Sequence, residues 1–227
     1  MRRFGIIGNP LTQSPSGIFF EEYFHKNNID AEFNAYELHS LDNFESFLIS
    51  ERIEGLLVTI PYKEKAFALA HSYGHEELQA TNMLSISQSG GKCHIHAHNT
   101  DFLAFQQYLL SLNPKIDEKA LILGSGGASK AVAYALDNIG IQYDIYGRVE
   151  SKTGKEWQNP DTIELSKYAL VINTTPLGMA PLENEFPPLD YSKLKAETIA
   201  YDLVYKPEKT LFLEKCETVG CRIRNGK

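Results

Sequence analysis

Two charged side chains and one glycine turn are the parts of this sequence whose types and spacing can do chemistry. Lys63 ends the run Val58-Thr59-Ile60-Pro61-Tyr62-Lys63, and Asp101 ends Asn99-Thr100-Asp101. Either charge alone reads as a solvated surface residue. Together they can form a proton-transfer pair, in which a neighbouring acid protonates the oxygen that gains negative charge when a carbonyl is reduced. The third part is Leu121-Ile122-Leu123-Gly124-Ser125-Gly126-Gly127-Ala128, an apolar run that enters glycines and then takes up helical spacing. Glycines there permit a tight turn and let the backbone approach a pyrophosphate, while a helix N-terminus adds N–H donors and partial positive charge. A turn needed only for packing is the alternative.

About 20 residues past such a turn, an NAD site places an acid on the ribose 2′-hydroxyl. This chain has Tyr146-Gly147-Arg148 there, with Lys152 close behind; Asp144 lies within the preceding strand pattern and Glu150 past its tip. A guanidinium pairs with a 2′-phosphate where a carboxylate would repel it, so the cofactor expected is NADP. A solvated loop arginine is the other reading of Arg148. In the N-terminal half, Gly8-Asn9-Pro10-Leu11-Thr12-Gln13-Ser14-Pro15-Ser16 carries two serines at a helix start. Hydroxyls and free N–H groups there suit a carboxylate, and equally an ordinary N-cap. His94, His96 and His98 alternate, so a strand would place them on one face. That spacing can bind a transition metal, but carbonyl reduction with a nicotinamide needs none, and no metal is expected.

The elements that must position these groups alternate along the chain. Strands are predicted over Phe4–Gly8, Ala31–Leu38 and Gly55–Ile60, with helices over Ser16–Asn27, Leu41–Ser50 and Lys63–Tyr73. Asn82–Gln88 and Lys92–Asn99 flank the turn Ser89-Gly90-Gly91 and read as a hairpin or two nearby strands. A helix over Thr100–Leu112 precedes a second series: strand Ala120–Leu123, helix Ala128–Ile139, strands Gln142–Tyr146, Ala169–Thr174 and Thr198–Leu203, helix Glu208–Val219 and strand Cys221–Arg224. Gly154–Asp161 and Pro181–Pro188 read as exposed loops. Such alternation predicts parallel sheets with helices on both faces, an α/β fold in two domains, residues 1–100 and 101–227.

Composition narrows the partners. A net charge of −7 over 227 residues argues against nucleic acid. The apolar stretch at the N-terminus stops at Asn9-Pro10, too short for a signal peptide, and no run approaches the roughly 18 residues of a membrane span. Three cysteines, Cys93, Cys216 and Cys221, fit a reducing cytoplasm and read as packing residues.

Seven motifs in order carry a resemblance to the shikimate dehydrogenase family across essentially the whole chain. They are Gly8–Ser16, Val58–Glu64, Ala80-Thr81-Asn82, Asn99-Thr100-Asp101, Gly124–Ala128, Ile172–Met179 and Asp202–Pro207. The resemblance implies an N-terminal α/β substrate domain followed by a Rossmann-like NADP-binding domain, in an enzyme that reversibly reduces 3-dehydroshikimate to shikimate with NADPH on the route to chorismate and the aromatic amino acids. It implies a catalytic dyad of Lys63 and Asp101, with Ser14, Ser16 and Tyr205 at the substrate carboxylate and Thr59 and Asn82 near the ring hydroxyls. Gly124, Ser125, Gly126, Gly127, Ala128 and Arg148 would bind NADP, with Thr174, Leu203 and Gly226 along the nicotinamide. Departures from the family pattern include Gln13 where histidine is usual, Leu57 where asparagine is usual, and Gly147-Arg148-Val149 where Asn-Arg-Thr is usual. Family members also continue past the Asn225-Gly226 position with a glutamine-bearing helix that this chain, ending at Lys227, is expected to lack. An NAD-preferring quinate/shikimate dehydrogenase and a catalytically silent shikimate-binding regulator are the alternatives, and the assembly expected is a monomer or homodimer.

Overall fold

The computed structural model describes residues 1–11, 15–112, 119–151, 154–159 and 162–226. The chain divides into two compact units, Met1–Asp101 and Phe102–Lys227. Among the described residues, no helix is long and apolar enough to cross a membrane.

The first unit is built on a six-stranded sheet in the order β2-β1-β3-β5-β6-β4. Its strands are β1 (Arg2–Gly8), β2 (Ala31–Glu37), β3 (Ile53–Val58), β4 (Ser72–Tyr73), β5 (Met83–Ser89) and β6 (Lys92–His98). β1 runs parallel to both β2 and β3. β5 runs antiparallel to β3 and to β6, so this sheet is mixed rather than parallel throughout. The reason is local: Gly90 and Gly91 join β5 to β6 directly, and so short a turn can only link antiparallel strands.

Ile7, Leu56, Val58, Leu84 and Ile95 pack on one face of the sheet with Leu48 of α2 (Phe44–Ser50) and Ala66 of α3 (Lys63–Ala68). Ile6 and Phe33 turn to the other face, under Phe20 and Phe24 of α1 (Pro15–Lys26). The helix predicted over Lys63–Tyr73 stops at Ala68. Beyond it the His71 N–H donates to the Ile95 carbonyl (2.8 Å) and the Gly74 N–H to that of Ala97 (2.9 Å), and the edge strand β4 lies between.

The second unit carries a five-stranded sheet, order β13-β12-β11-β7-β8, parallel throughout. The strands are β7 (Lys119–Leu123), β8 (Tyr143–Tyr146), β11 (Tyr168–Asn173), β12 (Ile199–Asp202) and β13 (Arg222–Arg224). The three central strands, β12, β11 and β7, are near-continuous apolar runs, as expected of strands covered on both faces, whereas the edge strands β13 and β8 carry charged residues. Helix α5 (Gly127–Ile139) links β7 to β8 and α6 (Leu211–Thr218) links β12 to β13. Helix α4 (Asp101–Ser111) packs within this unit, with Phe102 edge-on to Tyr134 (4.8 Å between ring centroids) and Phe105 edge-on to Tyr201 (5.4 Å).

One expectation fails here. The segment read as a loop over Gly154–Asp161 contains strand β10 (Gly154–Trp157), antiparallel to β9 (Arg148–Ser151). A hairpin thus follows β8. The Tyr146 ring, stacked on Trp157 at 5.2 Å, anchors it to the core.

Candidate active site

In the first unit the charged pair is assembled from three chain segments. α3 begins at Lys63, β5 just after Asn82, and α4 at Asp101. The Thr81 N–H donates to the Lys63 carbonyl (2.9 Å), which fixes the root of the lysine against the Ala80-Thr81-Asn82 run. Lys63 Nζ stands 2.5 Å from Asp101 Oδ2. The other carboxylate oxygen accepts from Asn82 Nδ2 at 2.8 Å, and the Asn82 amide also bonds Thr100 in both directions, donating to its Oγ1 and accepting from its N–H, each at 2.8 Å. The side chains of Lys63 and Asp101 are 18% and 33% exposed. The pair is therefore sheltered enough for its attraction to exceed that of a surface ion pair, yet open to a small molecule.

Asn99 is the residue that inspection of the motif leaves without a role. It is buried; its Oδ1 accepts from the Asp101 N–H (3.0 Å) and its Nδ2 donates to the Ala80 carbonyl (3.0 Å). It thereby caps the start of α4 and ties it to the same segment that holds Lys63. An asparagine two residues ahead of a helix-opening acid was the available signal. The hydroxyl of Thr81, also buried, lies 2.5 Å from the His98 carbonyl and 2.8 Å from that of Met83, with one proton to donate between them. His98 itself has its pKa lowered, first by burial and then by His96 and His75.

The remaining predicted substrate groups fall as follows. Thr59 lies at the end of β3 against Gly8, where a Cβ would come within 2.5 Å of the threonine methyl, so only glycine lets the two strand ends close up. Ser16 is half-buried in the first turn of α1, which has no acidic residue. Ser14 lies outside the described residues. Tyr205 follows β12 in the second unit and is 47% exposed. The alternating histidines hydrogen-bond to serines. Ser72 Oγ lies 2.9 Å from His94 Nε2 and 2.7 Å from His96 Nδ1, and Ser85 Oγ lies 2.9 Å from His98 Nε2. Among the described residues no group of three or more His, Cys, Asp or Glu could hold a metal.

In the second unit the predicted cofactor residues gather at the C-terminal ends of β7, β8, β11 and β12, the edge at which parallel α/β sheets take ligands. Gly124 has φ +118°, and a Cβ there would lie 2.6 Å from Thr174 Oγ1. Its N–H donates to the Tyr146 carbonyl (2.8 Å), and Thr174 Oγ1 donates to that of Leu123 (2.7 Å). α5 then starts with Gly126 as N-cap, no side-chain cap and no acid in its first turn, an arrangement that leaves backbone N–H groups to Ser125, Gly127 and Ala128 for an anion. Arg148 is exposed at the start of β9, while Lys152 lies outside the described residues. The Leu203 N–H donates to the Asn173 carbonyl (3.0 Å), and the Gly226 N–H to that of Val204 (3.3 Å), so both glycine and leucine sit beside the β11 and β12 ends.

A second network, unforeseen from sequence, ties those ends together. The buried Asp202 carboxylate accepts from Thr210 Oγ1 (2.5 Å), the Val204 N–H (2.9 Å) and Asn173 Nδ2 (3.0 Å). Asn173 Oδ1 in turn accepts from the N–H (3.1 Å) and hydroxyl (2.6 Å) of Thr175. Burial pushes the Asp202 carboxyl up to about 6, against the three hydrogen bonds that pull it down.

A half-buried lysine–carboxylate pair, together with a parallel sheet whose glycine turn opens an uncapped helix, defines a two-unit α/β oxidoreductase of the dinucleotide-dependent class. A model of the shikimate dehydrogenase substrate binding domain matches residues 6–84. The NADP(+) shikimate dehydrogenase of Carboxydothermus hydrogenoformans is 34% identical over 98% of this chain and 85% of its own length. Among solved structures, the shikimate dehydrogenase of Aquifex aeolicus superposes with a TM-score of 0.79 at 26% identity, over 99% of this chain and 86% of that one. A chorismate mutase/shikimate 5-dehydrogenase fusion protein from Clostridium acetobutylicum does so at 0.76 and 29%, over 99% and 85%. The chain belongs to the shikimate dehydrogenase family.

Proposed function

We propose that this chain interconverts 3-dehydroshikimate and shikimate with NADPH and NADP⁺, a step toward chorismate and the aromatic amino acids. The observation that carries this reading is the Lys63 ammonium held 2.5 Å from an Asp101 carboxylate whose second oxygen is already taken by Asn82. In this reading residues 1–100 bind substrate and residues 101–227 bind NADP. Gly124–Ala128 would take the pyrophosphate, Arg148 the 2′-phosphate, and Thr174, Leu203 and Gly226 would line the nicotinamide. The tight Gly124 turn and the acid-free start of α5 fit such a group.

Bound NADPH supplies the hydride to the ketone carbon. Ser14, Ser16 and Tyr205 hold the substrate carboxylate, while Thr59 and Asn82 meet ring hydroxyls. As the C=O π bond breaks, Lys63 Nζ gives its proton to the oxygen and becomes a neutral amine, which water reprotonates. Asp101 keeps the amine at that place and compensates the ammonium when it reforms. In the oxidative direction Lys63 takes the proton back. The net charge of −7 and the reduced cysteines support a cytoplasmic enzyme, monomeric or homodimeric, with no nucleic-acid or membrane partner.

Oxidation of shikimate assayed side by side with NADP⁺ and NAD⁺ tests the reading. Turnover should be faster with NADP⁺. Faster turnover with NAD⁺ would replace it with an NAD-preferring quinate/shikimate dehydrogenase, and shikimate binding without turnover by either would replace it with a silent binding protein.

A further inference from the structure

The hairpin that follows β8 is rooted in a single residue. Gly147, immediately before Arg148, has both its main-chain polar groups taken by Gln158: its N–H donates to Gln158 Oε1 (3.0 Å), and its carbonyl accepts from the Gln158 N–H (3.1 Å). The Gln158 carbonyl accepts from the hydroxyl of buried Tyr146 at 2.8 Å, and that hydroxyl also reaches the Pro188 carbonyl at 3.1 Å. Gln158 follows Trp157, which pairs across the ladder with Arg148 and stacks on Tyr146. On its other side Gly147 packs against the glycine turn, where an added Cβ would lie 3.4 Å from the Gly124 carbonyl carbon and from Ser125 Cβ.

The root of Arg148 is thus gripped between the glycine turn and Gln158. Two phosphate-binding positions on one nucleotide must be held at a fixed separation, since a guanidinium that swings on a loose loop loses the geometric gain of a charge-assisted bond. We propose that Gln158 is a positioning residue for cofactor selectivity: by fixing Gly147 against the glycine turn, it holds Arg148 where a 2′-phosphate is read, and the β9–β10 hairpin is the element that reads it. This inference rests on the NADP assignment above.

The test is a double-mutant cycle on the full chain with Gln158→Met and Arg148→Ala. The methionine keeps the length of the side chain and the Gly147 carbonyl bond but loses the acceptor. It should raise KM for NADP⁺ by about three- to ten-fold, the range of one net hydrogen bond. KM for NAD⁺ and for shikimate and kcat at saturating NADP⁺ should stay near wild type, while the melting temperature falls by a few degrees as the buried Gly147 N–H loses its acceptor. The double variant should be no worse with NADP⁺ than Arg148→Ala alone, because Gln158 acts only through Arg148. Trp157, the single tryptophan of the chain, gives a second readout: its emission should change on binding adenosine 2′,5′-bisphosphate and not on binding 5′-AMP.

Equal losses with both cofactors, multiplicative effects in the cycle, or tryptophan emission indifferent to the 2′-phosphate would each overturn the proposal. If Arg148→Ala keeps the NADP preference, the reading of Arg148 falls and this one with it. If Arg148→Ala abolishes the preference and Gln158→Met preserves it, the role of Gln158 alone is refuted.

Discussion

Asp101 in the first unit keeps a third of its side chain open and shares its charge with Lys63, whereas Asp202 in the second is closed to solvent and held by Thr210, Val204 and Asn173, all neutral. The first arrangement sets an ammonium beside a carboxylate that stays partly open to solvent. The second spends a buried charge on joining three loops, and burial without a cation leaves that carboxyl titrating near 6. On the proposed reading, the same side chain serves chemistry where it is paired and partly exposed, and architecture where it is unpaired and enclosed.

Four measurements can break or sharpen that contrast. Lys63→Ala should lower kcat by roughly 10²-fold or more, the usual scale of general acid–base catalysis, with NADP⁺ affinity retained. Near wild-type turnover would reduce Asp101 to a structural acid like Asp202.

The Asp202 carboxyl should reveal itself in stability instead. Its folded value, about 6, lies above its ordinary 3.8, so the folded state holds the proton more tightly. Its contribution is fully present below about pH 4 and is lost as pH rises through about 6, a swing of roughly 3 kcal/mol. Urea unfolding at several pH values between 4 and 7 should show this slope in the wild type and lose it in Asp202→Asn. An unchanged slope in the variant would mean that the pH dependence does not arise at Asp202.

Arg148→Ala should raise KM for NADP⁺ by about ten- to 150-fold and leave NAD⁺ nearly unchanged, because a charge-assisted phosphate contact is worth about 1.5–3 kcal/mol. The smallest effect belongs to Asn99→Ala. Losing that cap should lower stability by about 1 kcal/mol and turnover only a few-fold, as Asp101 drifts from Lys63 without losing its charge. A loss as large as that of Lys63→Ala would place Asn99 itself at the substrate.

The sequence made legible whatever depends on periodicity or on short motifs. The run from Ala120 to Ile139 reads correctly because its apolar strand and helical spacing are bounded by glycines, and Lys63, Asn82 and Asp101 are brought together as their motifs imply. Bonds between distant segments were not legible. Asn99 to Ala80, Asp202 to Asn173 and Gln158 to Gly147 join residues by one or two polar contacts that leave no repeating pattern in the chain. The β9–β10 hairpin escaped for a related reason: Arg148-Val149-Glu150-Ser151 and Gly154-Lys155-Glu156-Trp157 are mostly polar, and Trp157 on Tyr146 supplies an anchor from outside the segment. The helix from Lys63 was overrun because Leu69 and Ala70 continue its spacing, while the bonds that end it come from β6.

The alternation within β6 also governs which changes of chain length this protein can absorb. Cys93, Ile95 and Ala97 face the core, His94, His96 and His98 face away, and Asp101 follows three residues after the strand ends. Deleting one residue inside β6 would exchange the two sets, pressing imidazoles into the core and turning the chain that leads to Asp101 through half a pleat. Inserting residues between Gly90 and Gly91 would only lengthen an exposed turn. Length variation among descendants of this sequence should therefore collect at that turn and be absent from the seven residues after it.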